Sequence, residues 1–290
     1  MKKIDSHIYF DQLKTRLNDL SELNKKNNFE FIVSPSPTET SEPNKSKIMY
    51  FFQSYLFSNT YFHKFAKLVS LLFYDSHYNL RVLWKIFTGF KNYKKISLPK
   101  NNLIYEKILK VNFLKMWLWL NPKKEKSMKD FHKFYKYKKI AGIKLHMYWH
   151  NLEVEHIEKI IMLNYLNKPI YIIMNYNSID DLLEIVKKNK KTNFIFGYGG
   201  FPHYKNFWKK FCHLKNVYID IASLHVNKFH IRKIFQLFKS DKIIFSTDYP
   251  YNFQKNGRFS YDLFESRIKN IPFKNLKQNF FYKNIENLIL

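Results

Sequence analysis

The sequence contains one cysteine, Cys212, so no disulfide can form within the chain and no cysteine-based zinc site exists. Arginine is scarce. Arg16, Arg81, Arg232, Arg258 and Arg267 are the only ones, and lysine supplies nearly all of a formal net charge of +27. Long hydrophobic runs are missing too. Those such as Leu68 to Tyr74 fall far short of the ~20 apolar residues that a bilayer-spanning helix needs, so no transmembrane segment is expected. The start, Met1-Lys2-Lys3-Ile4-Asp5, lacks the apolar core of a secretory signal and runs straight into a strand-like segment. The chain therefore reads as soluble and cytoplasmic. No Gly-rich phosphate loop follows the first strand, where Ser6-His7-Ile8-Tyr9 stands instead, which argues against an open nucleotide-binding sheet.

What is present suits one large domain. The chain has 290 residues, 46% of them hydrophobic, enough for a sizeable core. A basic surface attracts polyanions and anionic membranes. Here the lysines are scattered rather than gathered in a stripe. They accompany Asn, Ile, Phe and Tyr along the whole chain, which points to a compositional bias and not to specific nucleic-acid binding.

Short apolar runs recur, each closed by polar or turn residues. They are Ile4 to Phe10, Phe29 to Val33, Met116 to Leu120, Ile140 to His146, Pro169 to Asn175, Asn193 to Gly200, Val217 to Ser223 and Ile243 to Asp248. Helical spacing lies between the later ones. Glu153 to Leu166 carries Val154, Ile157, Ile160 and Ile161 on one face; Ile179 to Lys188 follows a candidate cap at Asn177-Ser178; Phe229 to Lys239 is a third. Asp180, Asp181 and Glu184 suit the positive end of their helix. Eight strands alternating with helices predict a (β/α)8 barrel. An aromatic, basic and helix-rich segment, residues 43–110, interrupts the rhythm between strands two and three. A lid over the barrel mouth and a plain packed excursion fit it equally. Ser34 to Ser46 is a loop.

In such a barrel the site lies at the carboxyl ends of the strands, and the inward side chains are read by parity. Asp5, His7 and Tyr9 share a face on strand one, and Lys144 and His146 on strand four. Tyr171, Ile173 and Asn175 align on strand five, Phe196, Tyr198 and Gly200 on strand six, Ser246 and Asp248 on strand eight. Lys144 could clamp a substrate charge or could pair with Asp5 or Asp248. Asp220 falls within strand seven, where a structural hydrogen-bonding role is as plausible as catalysis. Trp117, Trp119, Tyr148, Trp149 and Trp208 suit packing or stacking on a ring.

Several blocks resemble the amidohydrolase-related (amidohydrolase 2) metal-dependent hydrolases. They are Ile4-Asp5-Ser6-His7, Gly142-Ile143-Lys144-Leu145-His146, Phe194-Ile195-Phe196-Gly197-Tyr198-Gly199-Gly200, Asn216-Val217-Tyr218-Ile219-Asp220, Ile244-Phe245-Ser246-Thr247-Asp248-Tyr249-Pro250, and the closing Phe281 to Leu288. The resemblance implies one catalytic metal, zinc or manganese. Its ligands would come from a His-x-His pair on strand one, a His on strand five or six, and an Asp on strand eight. In this chain His7 and Asp248 match. Tyr9 stands at the second position of the pair, Ile173 or Asn175 at the strand-five position, and Tyr198 at the strand-six position. Two ligands are too few for a tight zinc site, which takes three protein groups and a water.

His146, with His203 and His150 in loop reach, is the best group to rebuild such a site. The expectation is a rearranged metal or acid/base centre of His7, His146 and Asp248, with Lys144 as a further catalytic group. Tyr9, Asn175, Tyr198 and His203 are candidate substrate contacts. The competing expectation is a polar pocket left after ligand loss. Two functions follow: a hydrolase or lyase acting on a small molecule, or a non-catalytic barrel that binds an anionic small molecule or a sugar. A homodimer is compatible with either.

Overall fold

The structure, a computed structural model, describes residues 1–10, 14–36, 98–175, 179–222, 226, 228–249, 254–255, 258–259, 268 and 277–289. Eight parallel strands run in sequence order: β1 Lys3–Phe10, β2 Phe29–Pro35, β3 Leu114–Leu120, β4 Ile140–His146, β5 Ile170–Ile173, β6 Phe194–Phe196, β7 Val217–Asp220 and β8 Ile243–Ile244. The helices are α1 Lys14–Asn27, α2 Asn101–Leu109, α3 Glu125–Phe134, α4 Met147–His150, α5 Val154–Leu163, α6 Asp180–Lys188, α7 Tyr204–Phe211, α8 Lys228–Leu237 and α9 Asn284–Ile289. All eight anticipated strand segments are present. Strand and helix alternate as in a (β/α)8 barrel.

The first and last strands meet beyond the short β8. Ser6 N–H donates to the Phe245 carbonyl (3.1 Å), Asp248 N–H to the His7 carbonyl (2.9 Å) and Tyr9 N–H to the Tyr249 carbonyl (2.7 Å), and Ile8 and Tyr249 form a parallel bridge. Side chains reinforce this seam. The fully buried Asp5 carboxylate accepts from Thr247 N–H (3.0 Å) and the Thr247 hydroxyl (2.6 Å), and Ser6 Oγ donates to the Phe245 carbonyl (2.9 Å). The β1–β2 register slips between Asp5 and Ile8. Strict alternation would aim Asp5, His7 and Tyr9 alike. With the slip, the Asp5 carboxylate is taken by Thr247 at the seam, while the rings of His7 and Tyr9 lie together 5.3 Å apart.

Two apolar layers hold the ring. Ile4, Ile32, Trp117, Ala141, Tyr171, Ile173, Ile195, Ile244 and Ile285 form one cluster, the filling of the barrel. Ile285 comes from α9, which packs against β1 and β8. Asn284 ties that helix down by donating to the carbonyls of Ser240 (2.6 Å) and Ile243 (2.8 Å). The larger cluster joins the outer strand faces to the helices, including Phe131 and Phe134 of α3, Ile157 and Ile160 of α5, Leu182 and Ile185 of α6 and Phe207 and Phe211 of α7. Gly142 permits a close approach inside the ring. A Cβ there would lie 2.4 Å from the Pro169 carbonyl oxygen and 2.5 Å from Trp117 Cζ3.

Some of the lysine excess has a structural use. Lys139 Nζ donates to the carbonyls of Val111 (2.7 Å) and Leu114 (3.1 Å), and Lys168 Nζ to those of Tyr137 (3.0 Å) and Ile140 (2.7 Å). Lys242 Nζ donates to the Lys215 carbonyl (2.6 Å). Each of these lysines precedes a strand and ties together backbone oxygens at the turn into the barrel.

Helix α6 begins at Asp180, with Ile179 at its N-cap and no side-chain cap; the anticipated caps Asn177 and Ser178 lie outside the described residues. Most of the anticipated insertion, 43–110, also lies outside them, and its end is α2. No helix among the described residues is long and apolar enough to cross a membrane.

Candidate active site

Seven side chains from β1, β2, β4, β5, β7 and the segments after β6 and β8 converge around His7. The imidazole is fully buried and has a partner at each nitrogen. Lys144 Nζ lies 2.9 Å from Nε2, and the Tyr171 hydroxyl 2.6 Å from Nδ1. The Tyr171 hydroxyl donates to Asp220 Oδ2. A phenol has one proton, so Nδ1 must donate to Tyr171, which leaves Nε2 as an acceptor for Lys144. The result is a directional chain from the Lys144 ammonium through neutral His7 and Tyr171 to the Asp220 carboxylate. Asp220 Oδ1 also accepts from the backbone N–H groups of Tyr198 (2.7 Å) and Ala222 (3.2 Å).

The second branch joins Asp248. Its Oδ1 accepts from the Tyr198 hydroxyl (3.0 Å) and lies 3.9 Å from His7 Nε2. Because Tyr198 gives its proton to Asp248, the Tyr9 hydroxyl donates to Tyr198 Oη, at 3.3 Å. The Tyr198 ring stacks on His7, with centroids 5.3 Å apart and planes 21° apart. Tyr198 and Asp248 both have left-handed backbones, φ 57° and 65°. Residues other than glycine adopt that conformation at some cost, and it concentrates at functional sites. Here Asp220 and the His7 carbonyl hold the two N–H groups, which aims the phenol and the carboxylate at each other.

Burial sets the electrostatics. It pulls the His7 imidazole down to about 4, with Lys144 adding repulsion against the partial help of Asp220. It brings Lys144 down to about 7 against the pull of the Asp248 and Asp220 carboxylates. It pushes Asp248 well above the usual carboxylate range, opposed by Lys144 and by the Tyr198 hydrogen bond. The phenols of Tyr171 and Tyr198 rise for the same reason, with Asp220 and Asp248 respectively adding repulsion. A carboxyl group and an amine whose buried environments move them toward neutrality are the kind of pair that does proton chemistry.

Around Lys144 the walls are aromatic. Its Nζ lies 4.0 Å from the Tyr9 ring centroid, 5.2 Å from that of Trp119 and 5.7 Å from that of Tyr171, and it donates to Ser34 Oγ at 3.2 Å. Trp119 is buried, and its indole N–H has no partner among the described residues.

The anticipated residues divide into two groups. His7, Tyr9, Lys144, Tyr198 and Asp248 come together. His146 instead caps α4, accepting the Trp149 N–H at Nδ1 (3.1 Å) while its ring stacks on Trp119. His203 Nε2 donates to the Asn175 carbonyl (2.9 Å), and Asn175 Nδ2 donates to the Leu152 carbonyl (3.1 Å), so those two tie the rim loops together. His150 packs on Trp119. Lys144 contacts His7 and Ser34, while Asp5 serves Thr247. Parity had put Tyr171 on the inward face but showed no partner for it. Ser34 read as the edge of a loop, and the Tyr171–Asp220 bond links residues 49 positions apart.

The cluster does not fit the implied metal. Among the described residues no group of three or more His, Cys, Asp or Glu side chains could hold one. One nitrogen of His7, the expected ligand, faces an ammonium that has no lone pair to share, and the other is turned to Tyr171.

Eight parallel strands in order, alternating with helices, make this a (β/α)8-barrel protein, and the buried polar cluster lies toward the carboxyl ends of those strands. The sequence model of the amidohydrolase family matches residues 114–289, and the chain belongs to that family. A search of the curated proteins finds no match. Solved structures share the fold. An amidohydrolase 2 from Bifidobacterium longum subsp. infantis superposes with a TM-score of 0.56 at 13% identity, covering 100% of this chain and 98% of its own. An amidohydrolase from Burkholderia multivorans with bound zinc gives 0.56 at 10% identity, covering 100% and 99%. A probable 2-pyrone-4,6-dicarboxylic acid hydrolase from Acinetobacter baumannii with citric acid bound gives 0.54 at 12% identity, with the same coverage.

Proposed function

We propose that this chain is a hydrolase, or a lyase of the same family, that acts on a small molecule at the carboxyl end of the barrel with Asp248 as the proton-handling group. One observation carries the reading: the Asp248 carboxylate, buried and on a left-handed backbone, is oriented by Tyr198 and lies 3.9 Å from His7. Such an arrangement is costly to build and has a chemical use. In the hydrolytic case a water oxygen adds to a substrate carbonyl carbon while Asp248 accepts a water proton. Asp248 then returns that proton to the leaving oxygen or nitrogen as its bond to carbon breaks. A carboxyl group raised by burial is a stronger base than an exposed one.

The donors beside it suit an oxygen-rich substrate. The Lys144 ammonium and the Trp119 indole, whose N–H has no partner among the described residues, lie together, with Nζ 5.2 Å from the ring centroid. The likeness to a probable dicarboxylic acid hydrolase supports beginning with carboxylated lactones, then esters and amides. Turnover of any of these by the wild type, lost in Asp248→Asn with the fold intact by circular dichroism, supports the reading. Equal rates in the two proteins, or no turnover of any class, would defeat it.

The lysine and its aromatic surroundings also favour a second reading, a non-catalytic barrel that binds an anionic small molecule. Saturable binding of a carboxylated lactone without turnover would favour it over the first.

A further inference from the structure

We propose that the Lys144 ammonium is the resident cation of this site, standing where the family pattern puts a divalent metal, so that the cluster excludes a metal ion. What the cation does to a substrate rests on the hydrolase reading. Its placement rests on geometry alone.

Four observations converge. First, Nζ sits 2.9 Å from His7 Nε2, the nitrogen that lies 3.9 Å from Asp248, the other expected ligand. That is a hydrogen-bond distance, and the lone pair a zinc ion would need at roughly 2.0–2.1 Å is already engaged. Second, the other His7 nitrogen is turned to Tyr171, so rotating the ring would not free a ligand without breaking the Tyr171–Asp220 branch. Third, two of the positions where further ligands are expected hold phenols. Tyr9 is hydrogen-bonded to Tyr198 and Tyr198 to Asp248, and both rings pack against His7. Fourth, Nζ lies among the faces of Tyr9, Trp119 and Tyr171, and the negative faces of aromatic rings attract a compact cation. A metal and this ammonium cannot share the position, because Lys144 is fully buried on a barrel strand.

The ammonium has three N–H groups. His7 and Ser34 take two, which leaves one for a substrate oxygen. A positive charge aimed at an oxygen that gains charge in the transition state is the service a metal otherwise performs.

The test uses the full chain without a histidine tag: wild type, Lys144→Met and His7→Ala. Metal content is measured after purification, and melting temperature is followed with added zinc chloride or manganese chloride and with a chelator. The wild type should carry no stoichiometric metal and show no shift with either salt. On a substrate found by the screen above, chelator should leave the rate unchanged and Lys144→Met should lower kcat/KM at least about 100-fold, the loss typical of removing one such donor. One equivalent of metal held by the wild type and lost in His7→Ala would overturn the proposal while leaving the hydrolase reading intact, as would turnover abolished by chelator. A metal-free wild type that turns over no substrate would end the hydrolase reading and leave the placement of the cation standing. If Lys144→Met fails to fold, the wild-type metal content and chelator response still decide.

Discussion

His7 and Asp248 meet twice, through the backbone, where Asp248 N–H donates to the His7 carbonyl at 2.9 Å, and through the side chains, where Oδ1 lies 3.9 Å from Nε2. The first contact belongs to the seam that closes the barrel, and the second to the polar cluster. One pair therefore couples ring closure to site geometry. A change that loosens the seam should also disturb the site.

Asp5→Ala tests that coupling. Asp5 is fully buried, and its carboxylate holds both the backbone N–H and the hydroxyl of Thr247, next to Asp248. Removing it strands those donors, at a cost of about 3 kcal/mol. Chemical denaturation should show that loss, and any turnover should fall with it. Unchanged stability would mean that the seam does not depend on Asp5.

The pH–rate profile should be bell-shaped if Asp248 is the base and Lys144 the cation. Activity rises with pH as Asp248, pushed up by burial, loses its proton. It falls as pH climbs past about 7, where Lys144 loses its own. Because the two groups interact, the limbs belong to the pair. Lys144→Met should erase the alkaline limb and leave a residual rate that only rises with pH. An alkaline limb that persists in this variant would assign it elsewhere.

Stability should carry the mark of His7. Burial holds the folded imidazole down at about 4 against an ordinary 6.5. Between those values the unfolded chain binds the proton and the folded one does not, so stability increases as pH rises through that window. The full effect is roughly 3 kcal/mol. Asp248 titrates with the opposite sign, so the quantity to measure is the difference between wild type and His7→Asn. That difference should shrink as pH is lowered from neutrality toward 4, and a constant difference would contradict the burial argument.

Gly142→Ala should destabilise the barrel by about 1–3 kcal/mol through overpacking alone. The added methyl would meet the Pro169 carbonyl oxygen and the Trp117 ring. Thermal unfolding should show the loss. A neutral result would mean that β4 and β5 can part without cost.

The barrel was legible because its strands are short apolar runs between turn residues, a pattern that local propensity and burial both enforce. The loss of expected metal ligands was legible at Tyr9 and Tyr198, since a residue type is visible without coordinates. The partners were less so. His146 shares a face with Lys144 by parity and was expected in the site, yet its ring caps α4. Tyr171 had the right parity and no evident purpose until Asp220 was brought against it. Parity names a face, and the face does not say which atom on another strand lies opposite.

The order of elements, their alternation and the chemistry available on each inward face are properties of the sequence itself, because strand and helix periods are written in successive residues. The tertiary structure decided the bonds. The slip between Asp5 and Ile8, the left-handed turns at Tyr198 and Asp248 and the curvature that brings β4 opposite β1 put an ammonium on the histidine. These depend on ring closure across more than 100 residues of chain, and a local pattern holds no record of distances over that span.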